Sequence, residues 1–166
     1  MTEYITDLVT RYRRKGVLID TNILLLWFVG ATNRERIARF NRTSKFAPED
    51  YDLLNKLFQS FARVVTTPNI LTEVSNLLNQ LGEPERSQCF SIFARDIGQL
   101  DEIYKDSLTI AATDKFSKFG LTDCGIVNVA KDNYLILTDD LKLASYLQKL
   151  GIDTINFNNI RTYEWK

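Results

Sequence analysis

Residues 17–22 read Val-Leu-Ile-Asp-Thr-Asn, and this short run restricts the fold more than any other stretch of the chain. Three aliphatic residues behind Gly16 show no alternation of apolar and polar positions, so the strand they form must be covered on both faces. Such a strand belongs to a parallel sheet lying between helices. It ends on Asp20, and the carboxyl ends of parallel strands are where open α/β sheets hold their ligands. Taken by itself, Asp20 reads first as the N-cap of the apolar helix beginning near Ile23, because Asp, Thr and Asn all favour that position.

The remaining periodicities alternate between helix and strand. Residues 1–15 form an amphipathic helix with Tyr4, Ile5, Leu8, Val9 and Tyr12 on one side, expected to pack on the sheet edge. The run Ile23 to Val29 is a helix ending at Gly30, and residues 33–45 are an Arg-rich helix and loop with weak core contacts. Pro48 opens a helix with its stripe at Tyr51, Leu54, Phe58 and Phe61, followed by a strand at 63–66. Thr67 caps the next helix, with Pro68 in its first turn and Glu73 in its second; its buried side runs from Ile70 to Leu81, before Gly82. Helical spacing recurs at Phe90, Phe93, Ile97 and Leu100, and again from Leu108 to Phe119, closed by Gly120. Thr122 then caps a helix bearing Asp123. Strands at 134–137 and 154–157 flank a helix from Leu141 to Leu150, closed by Gly151. Strands alternating with helices imply parallel crossovers, hence an α/β fold, a three-layer α/β/α sandwich with a short central parallel sheet.

Composition narrows the chemistry. The 166 residues suit one domain, and 45% hydrophobic with 25% charged residues is ordinary for a globular protein. Histidine is absent, which excludes triads built on that base. Cys89 and Cys124 cannot form a disulfide framework, and without histidine they cannot complete a zinc site. The longest apolar run is far short of the roughly 20 residues of a membrane span, and no apolar leader opens the sequence, so a cytoplasmic location is expected.

Four acids recur at element boundaries: Asp20 after the first strand, Glu73 early in a helix, Asp123 at a helix start and Asp140 just past strand 134–137. Parallel strands place their carboxyl ends on one edge, and the helices that follow begin there, so the four converge on one pocket. Each also has a structural role available, since acids near helix N-termini are favoured by the helix dipole. Clustered carboxylates disfavour one another's ionisation unless a cation neutralises them, and oxygen donors suit Mg²⁺ or Mn²⁺. That donor set points to phosphodiester hydrolysis by a metal-activated water.

The stretches Val-Leu-Ile-Asp-Thr-Asn (17–22), Thr-Pro-Asn-Ile-Leu-Thr-Glu-Val (67–74), Gly-Leu-Thr-Asp (120–123) and Leu-Thr-Asp-Asp-Leu-Lys-Leu-Ala (137–144) resemble, in order and spacing, the successive acidic motifs of PIN-domain proteins. The likeness runs from about Gly16 to Phe157. It implies a single PIN-like domain over 1–166, extended at about 31–63 relative to compact members, acting as a metal-dependent endoribonuclease. By motif position Asp20, Glu73, Asp123 and Asp140 are the metal-binding, catalytic acids, Asn22 supports Asp20, and Thr138 orients the last acid. Asp139 competes with Asp140, which fits the family pattern of Thr, any residue, Asp. The implied partners are an RNA substrate, an antitoxin protein if the chain is a toxin of a toxin–antitoxin pair, and a second copy of the chain.

Net charge is zero, yet residues 1–45 hold nine Lys or Arg against four acids. Arg34, Arg36, Arg39 and Arg42 are therefore candidates to guide RNA past the acids, or else form a solvated helix face. Two other functional readings stand beside the nuclease. A PIN-like module without catalysis would bind RNA or assemble with partners. A receiver-like signalling domain wants paired early acids, which Glu3, Asp7 and Asp20 do not supply.

Overall fold

A computed structural model describes residues 2–161; the remaining ends of the expected 1–166 unit lie outside the described residues. Five parallel strands, β1 (Val17–Ile19), β2 (Val64–Thr66), β3 (Asp101–Glu102), β4 (Leu135–Thr138) and β5 (Thr154–Asn156), form one sheet in the order β3-β2-β1-β4-β5. In register, Val17 lies between Val64 and Leu135, and Leu18 between Val65 and Ile136. The central strands are aliphatic because helices cover them on both sides, and Leu18, Ile19, Ile136 and Leu137 are completely buried.

The connections out of β1 and β2 run one way across the sheet, and the connection from β4 to β5 runs the other. With right-handed crossovers this puts α2 (Thr21–Thr32), α4 (Pro68–Leu78) and α5 (Glu85–Asp96) on one face, and α7 (Phe116–Ala130) and α8 (Leu141–Lys149) on the other. Accordingly α2 packs on α3 (Pro48–Gln59), α4 and α5, while α8 packs on β4 and β5. The result is an α/β/α sandwich. The strand order reverses between β1 and β4, and it is above the carboxyl ends of two such strands that open α/β sheets hold their ligands.

Several local expectations hold. Thr67 caps α4 through its side chain with Pro68 in the first turn, and Gly151 follows α8 with φ +76°. In α1 (Glu3–Tyr12) Leu8 and Tyr12 are buried, although Tyr4 is exposed.

Others are corrected. Gly30 does not end its helix: α2 continues to Thr32, and the glycine is there because the Tyr51 ring of α3 leaves no room for a Cβ. Residues 33–45 have more than weak core contacts, since a 3-10 turn (Arg34–Arg39) buries Ile37, and Phe40 and Thr43 are buried beyond it. The expected helix from Leu108 to Phe119 is broken into α6 (Ser107–Ala111) and the start of α7, with Lys115 left-handed at φ +60° between them. Gly120, at φ +80° and ψ −175°, is a kink within α7, so it redirects that helix instead of closing one. The edge strand β3 carries no apolar signal, because its two residues are acids ordered by pairing to Val65 and Thr66.

The extension at 31–63 is tied down near its middle, at residues 45–50. Asp50, fully buried, takes two hydrogen bonds from Arg161, of 3.1 and 2.6 Å, and one from the Ala47 N–H at 2.8 Å. Arg161 also donates to the Lys45 carbonyl at 2.9 Å.

Candidate active site

The crevice at the β1/β4 junction is lined by acids delivered from separate elements. Asp20 follows β1 and caps α2: its Oδ1 accepts from the Thr21 N–H at 2.7 Å, and its Oδ2 accepts from the Thr138 hydroxyl at 2.6 Å. Only 6% of the residue is exposed. The cap and the site are thus the same carboxylate. Burial pushes its pKa up to about 6 despite the hydrogen bonds from Thr138 and Thr21, and the charges of Asp139 and Asp140 add to the rise.

Asp123 sits just past the Gly120 kink, half-buried. Among the described residues it has no hydrogen-bond or ion-pair partner. Its pKa is pushed up to about 7, first by burial and then by the negative charges of Asp20, Asp140 and Glu73. Glu73, exposed in the second turn of α4, is held by two hydroxyls: Thr21 donates to Oε2 at 2.9 Å and Thr122 to Oε1 at 2.7 Å. Thr122 therefore serves the acid, in place of the helix-capping role expected of it.

Asp140 caps α8, its Oδ1 accepting from the Lys142 and Leu143 N–H groups at 2.8 and 3.1 Å. Asp139 is turned elsewhere. It is buried, accepts from Asn22 Nδ2 at 3.3 Å, and its Oδ2, sealed from solvent without a well-formed hydrogen bond, meets the Lys45 ammonium. Both aspartates raise Asp20, but of the two only Asp140 raises the Asp123 carboxyl.

The supporting residues act differently from the sequence-based expectation. Asn22 supports Asp139, not Asp20. Thr138 orients the last acid only through its backbone, accepting from the Asp140 N–H at 3.0 Å while giving its proton to Asp20. Nothing in the sequence singles out Thr21 and Thr122 as holders of an acid, or Lys45 among the basic residues around it. Their partners are distant along the chain, and no local signal marks those contacts.

The four arginines are placed away from the pocket and occupied. The Arg34–Arg39 turn starts where α2 ends, about 18 Å along a 12-residue helix from Asp20. Arg34 pairs with Asp52 at 2.5 Å and Arg36 with Glu85 at 2.8 Å. Arg39 donates to the Glu35 carbonyl at 3.3 Å and Arg42 to Gln80 at 2.8 Å. Each contact fastens the extension to itself, to α5 or to the turn after α4.

Whether the donor set suits a divalent cation is decided by its chemistry. Every side-chain donor is a carboxylate or hydroxyl oxygen, and Asp123, without a hydrogen-bond partner among the described residues, is raised first by burial and then by three neighbouring negative charges, the latter a cost that a cation removes. As they stand, no three acids among the described residues are arranged as a group of metal ligands. Charge coupling reaches further than ligation, and two of the acids are drawn to caps and one to hydroxyls. No protein-family model matches this chain, and no curated protein sequence matches it either.

Proposed function

We propose that this chain is a metal-dependent endoribonuclease of the PIN-domain type, with Asp20, Glu73, Asp123 and Asp140 as its acids. The observation that carries this reading is Asp123, half-buried, without a hydrogen-bond partner among the described residues, and raised by the charges of the other three as well as by burial. A structural acid in that setting would be expected to have a donor. An Mg²⁺ or Mn²⁺ ion, when bound, supplies charge neutralisation and lowers the pKa of a water nucleophile. Asp20, Glu73, Asp123 and Asp140 are the residues that would hold it. Thr138 keeps Asp20 in one orientation, and the Thr21 and Thr122 hydroxyls keep Glu73 over the pocket. An unpaired RNA strand suits a crevice of this kind better than a duplex, because its backbone can bend into it.

Incubating the protein with end-labelled single-stranded RNA and Mn²⁺ or Mg²⁺ tests the proposal. Expected are internal cuts leaving 5′-phosphate and 3′-hydroxyl ends, abolished by EDTA and by Asp123→Asn. EDTA-resistant cleavage leaving 2′,3′-cyclic phosphates would overturn it, since that chemistry uses the ribose 2′-oxygen. One observation favours a different reading, a PIN-like module that binds RNA or assembles without cutting: Asp20 and Asp140 already have work as helix caps. A scaffold would not respond to Mn²⁺ at this pocket, whereas the nuclease melts at a higher temperature with it. A toxin role with an antitoxin partner extends the same proposal, and growth arrest on induction, relieved by the product of an adjoining small reading frame, is its test.

A further inference from the structure

Next to the acids lies a groove of opposite character. Lys115, Lys118 and Phe119 on one wall, and Leu141, Lys142, Ser145 and Lys149 on the other, enclose about 280 Å³ over the Tyr146 ring. The groove adjoins the pocket along the chain: Leu141 and Lys142 directly follow Asp140, and Phe119 precedes the Gly120 kink that leads to Asp123.

All four lysines are exposed. Among the described residues the lysine ion pairs are those of Lys45 and Lys105, so the groove lysines are uncommitted to carboxylates. Lys142, Ser145 and Lys149 fall on one face of α8, and the run from Lys142 to Lys149 spans about 10 Å. Lys115 holds a left-handed backbone that glycine would adopt freely, and its ammonium lies 5.4 Å from the centre of the Tyr146 ring. Phe119 stacks on Tyr146 at 4.8 Å, and Lys118 lies over Phe119 at 5.2 Å. Leu141 is 69% exposed, an apolar surface at the mouth of the groove. Asp114 is an acid at its edge, its carbonyl accepting from the Tyr146 hydroxyl at 3.0 Å.

We propose that this groove holds the single-stranded RNA on one side of the carboxylate pocket, its four lysines neutralising phosphates while Phe119 and Leu141 meet an unpaired base. The inference deepens the nuclease reading and rests on it for the direction in which the strand runs. Charge complementarity selects the occupant: a pocket of four acids repels a polyanion, and free cations contiguous with that pocket offset the repulsion. An apolar floor between them suits the faces of unstacked bases. Arg34 and Arg36, paired with Asp52 and Glu85 about 18 Å along α2, do not fill this role.

Binding of a fluorescent single-stranded RNA, followed by anisotropy in EDTA over a range of salt, tests it. Replacing Lys115, Lys118, Lys142 and Lys149 by Gln should weaken binding at least tenfold and reduce the slope of log K against log salt by up to about 3. The double variant Lys142→Glu/Lys149→Glu should also lose binding, while the Arg34, Arg36, Arg39 and Arg42 to Gln set should keep the wild-type slope. A wild type that does not bind, a lysine variant that binds as the wild type does, or a polyglutamate peptide that competes as well as RNA would overturn the groove. Because the measurement excludes metal, failure of cleavage alongside intact groove binding would count against the nuclease reading alone.

Discussion

The Thr138 hydroxyl donates to Asp20 Oδ2 at 2.6 Å and accepts from the Asp140 N–H at 3.0 Å, joining the ends of β1 and β4 across 118 residues of sequence. One side chain thus sets the orientation of the first acid and the backbone position of the last. Thr138→Val keeps the shape and removes both bonds. The expected loss is about 1–3 kcal/mol at pH 7, read from urea unfolding, because buried partners are left unsatisfied. Thr138→Ser should recover most of it. A valine variant as stable as the wild type would show that the link contributes nothing.

The raised carboxyls predict an unusual pH dependence. Asp20 at about 6 and Asp123 at about 7 in the folded protein compare with about 3.9 in an unfolded chain. Between these values the native state binds more protons than the unfolded state, so stability without metal falls as pH rises from about 4 to about 7. For Asp20 the loss is about 3 kcal/mol. Asp20→Asn still caps α2 and removes one titration, so it should unfold at higher urea than the wild type at pH 8, with the difference vanishing near pH 4. Equal midpoints at pH 8 would refute the strained carboxylate.

Divalent metal should reverse that cost. Mn²⁺ at a hundredfold excess over its dissociation constant is expected to add about 2.7 kcal/mol to the wild type, seen as a higher melting temperature. Asp20→Asn and Asp123→Asn should gain much less. Equal shifts in all three proteins would place the ion elsewhere.

The two adjacent aspartates separate cleanly. Asp140→Asn should abolish cleavage, because of the two aspartates only Asp140 places its charge on Asp123. Asp139→Asn should leave cleavage within a few fold of the wild type while loosening the 41–47 segment, whose Lys45 loses its anion. Hydrogen exchange over 41–47 reads that loosening, and the opposite ranking of activities would reassign the last acid.

The buried pair Arg161 and Asp50 anchors the extension. Arg161→Leu strands a fully buried carboxylate, and a loss of about 3–5 kcal/mol is expected in urea unfolding at pH 7. Much of it should return in the double variant Arg161→Leu/Asp50→Leu, which leaves no unpaired charge in the interior. Unchanged stability of the single variant would mean that the extension is held by its apolar contacts alone.

What the sequence determined unaided is what depends on neighbours in the chain. The unbroken aliphatic runs at 17–19 and 135–137 require burial on both faces, and Thr67 with Pro68 requires a helix start, so the parallel α/β class and the elements carrying Asp20, Glu73, Asp123 and Asp140 were readable in advance. Contacts between distant residues were not. Gly30 looks like a helix stop until Tyr51 packs against it, and β3 becomes a strand only through hydrogen bonds to β2. Arg34 and Arg36 look like free cations until Asp52 and Glu85 arrive. Only the tertiary structure decided that Asp139 turns to Lys45 while Asp140 caps α8 with its charge felt at Asp123, because the two carry the same charge one residue apart. Their direction is set by the turn out of β4, where the Thr138 hydroxyl fixes the Asp140 N–H and the first N–H groups of α8 fix its carboxylate.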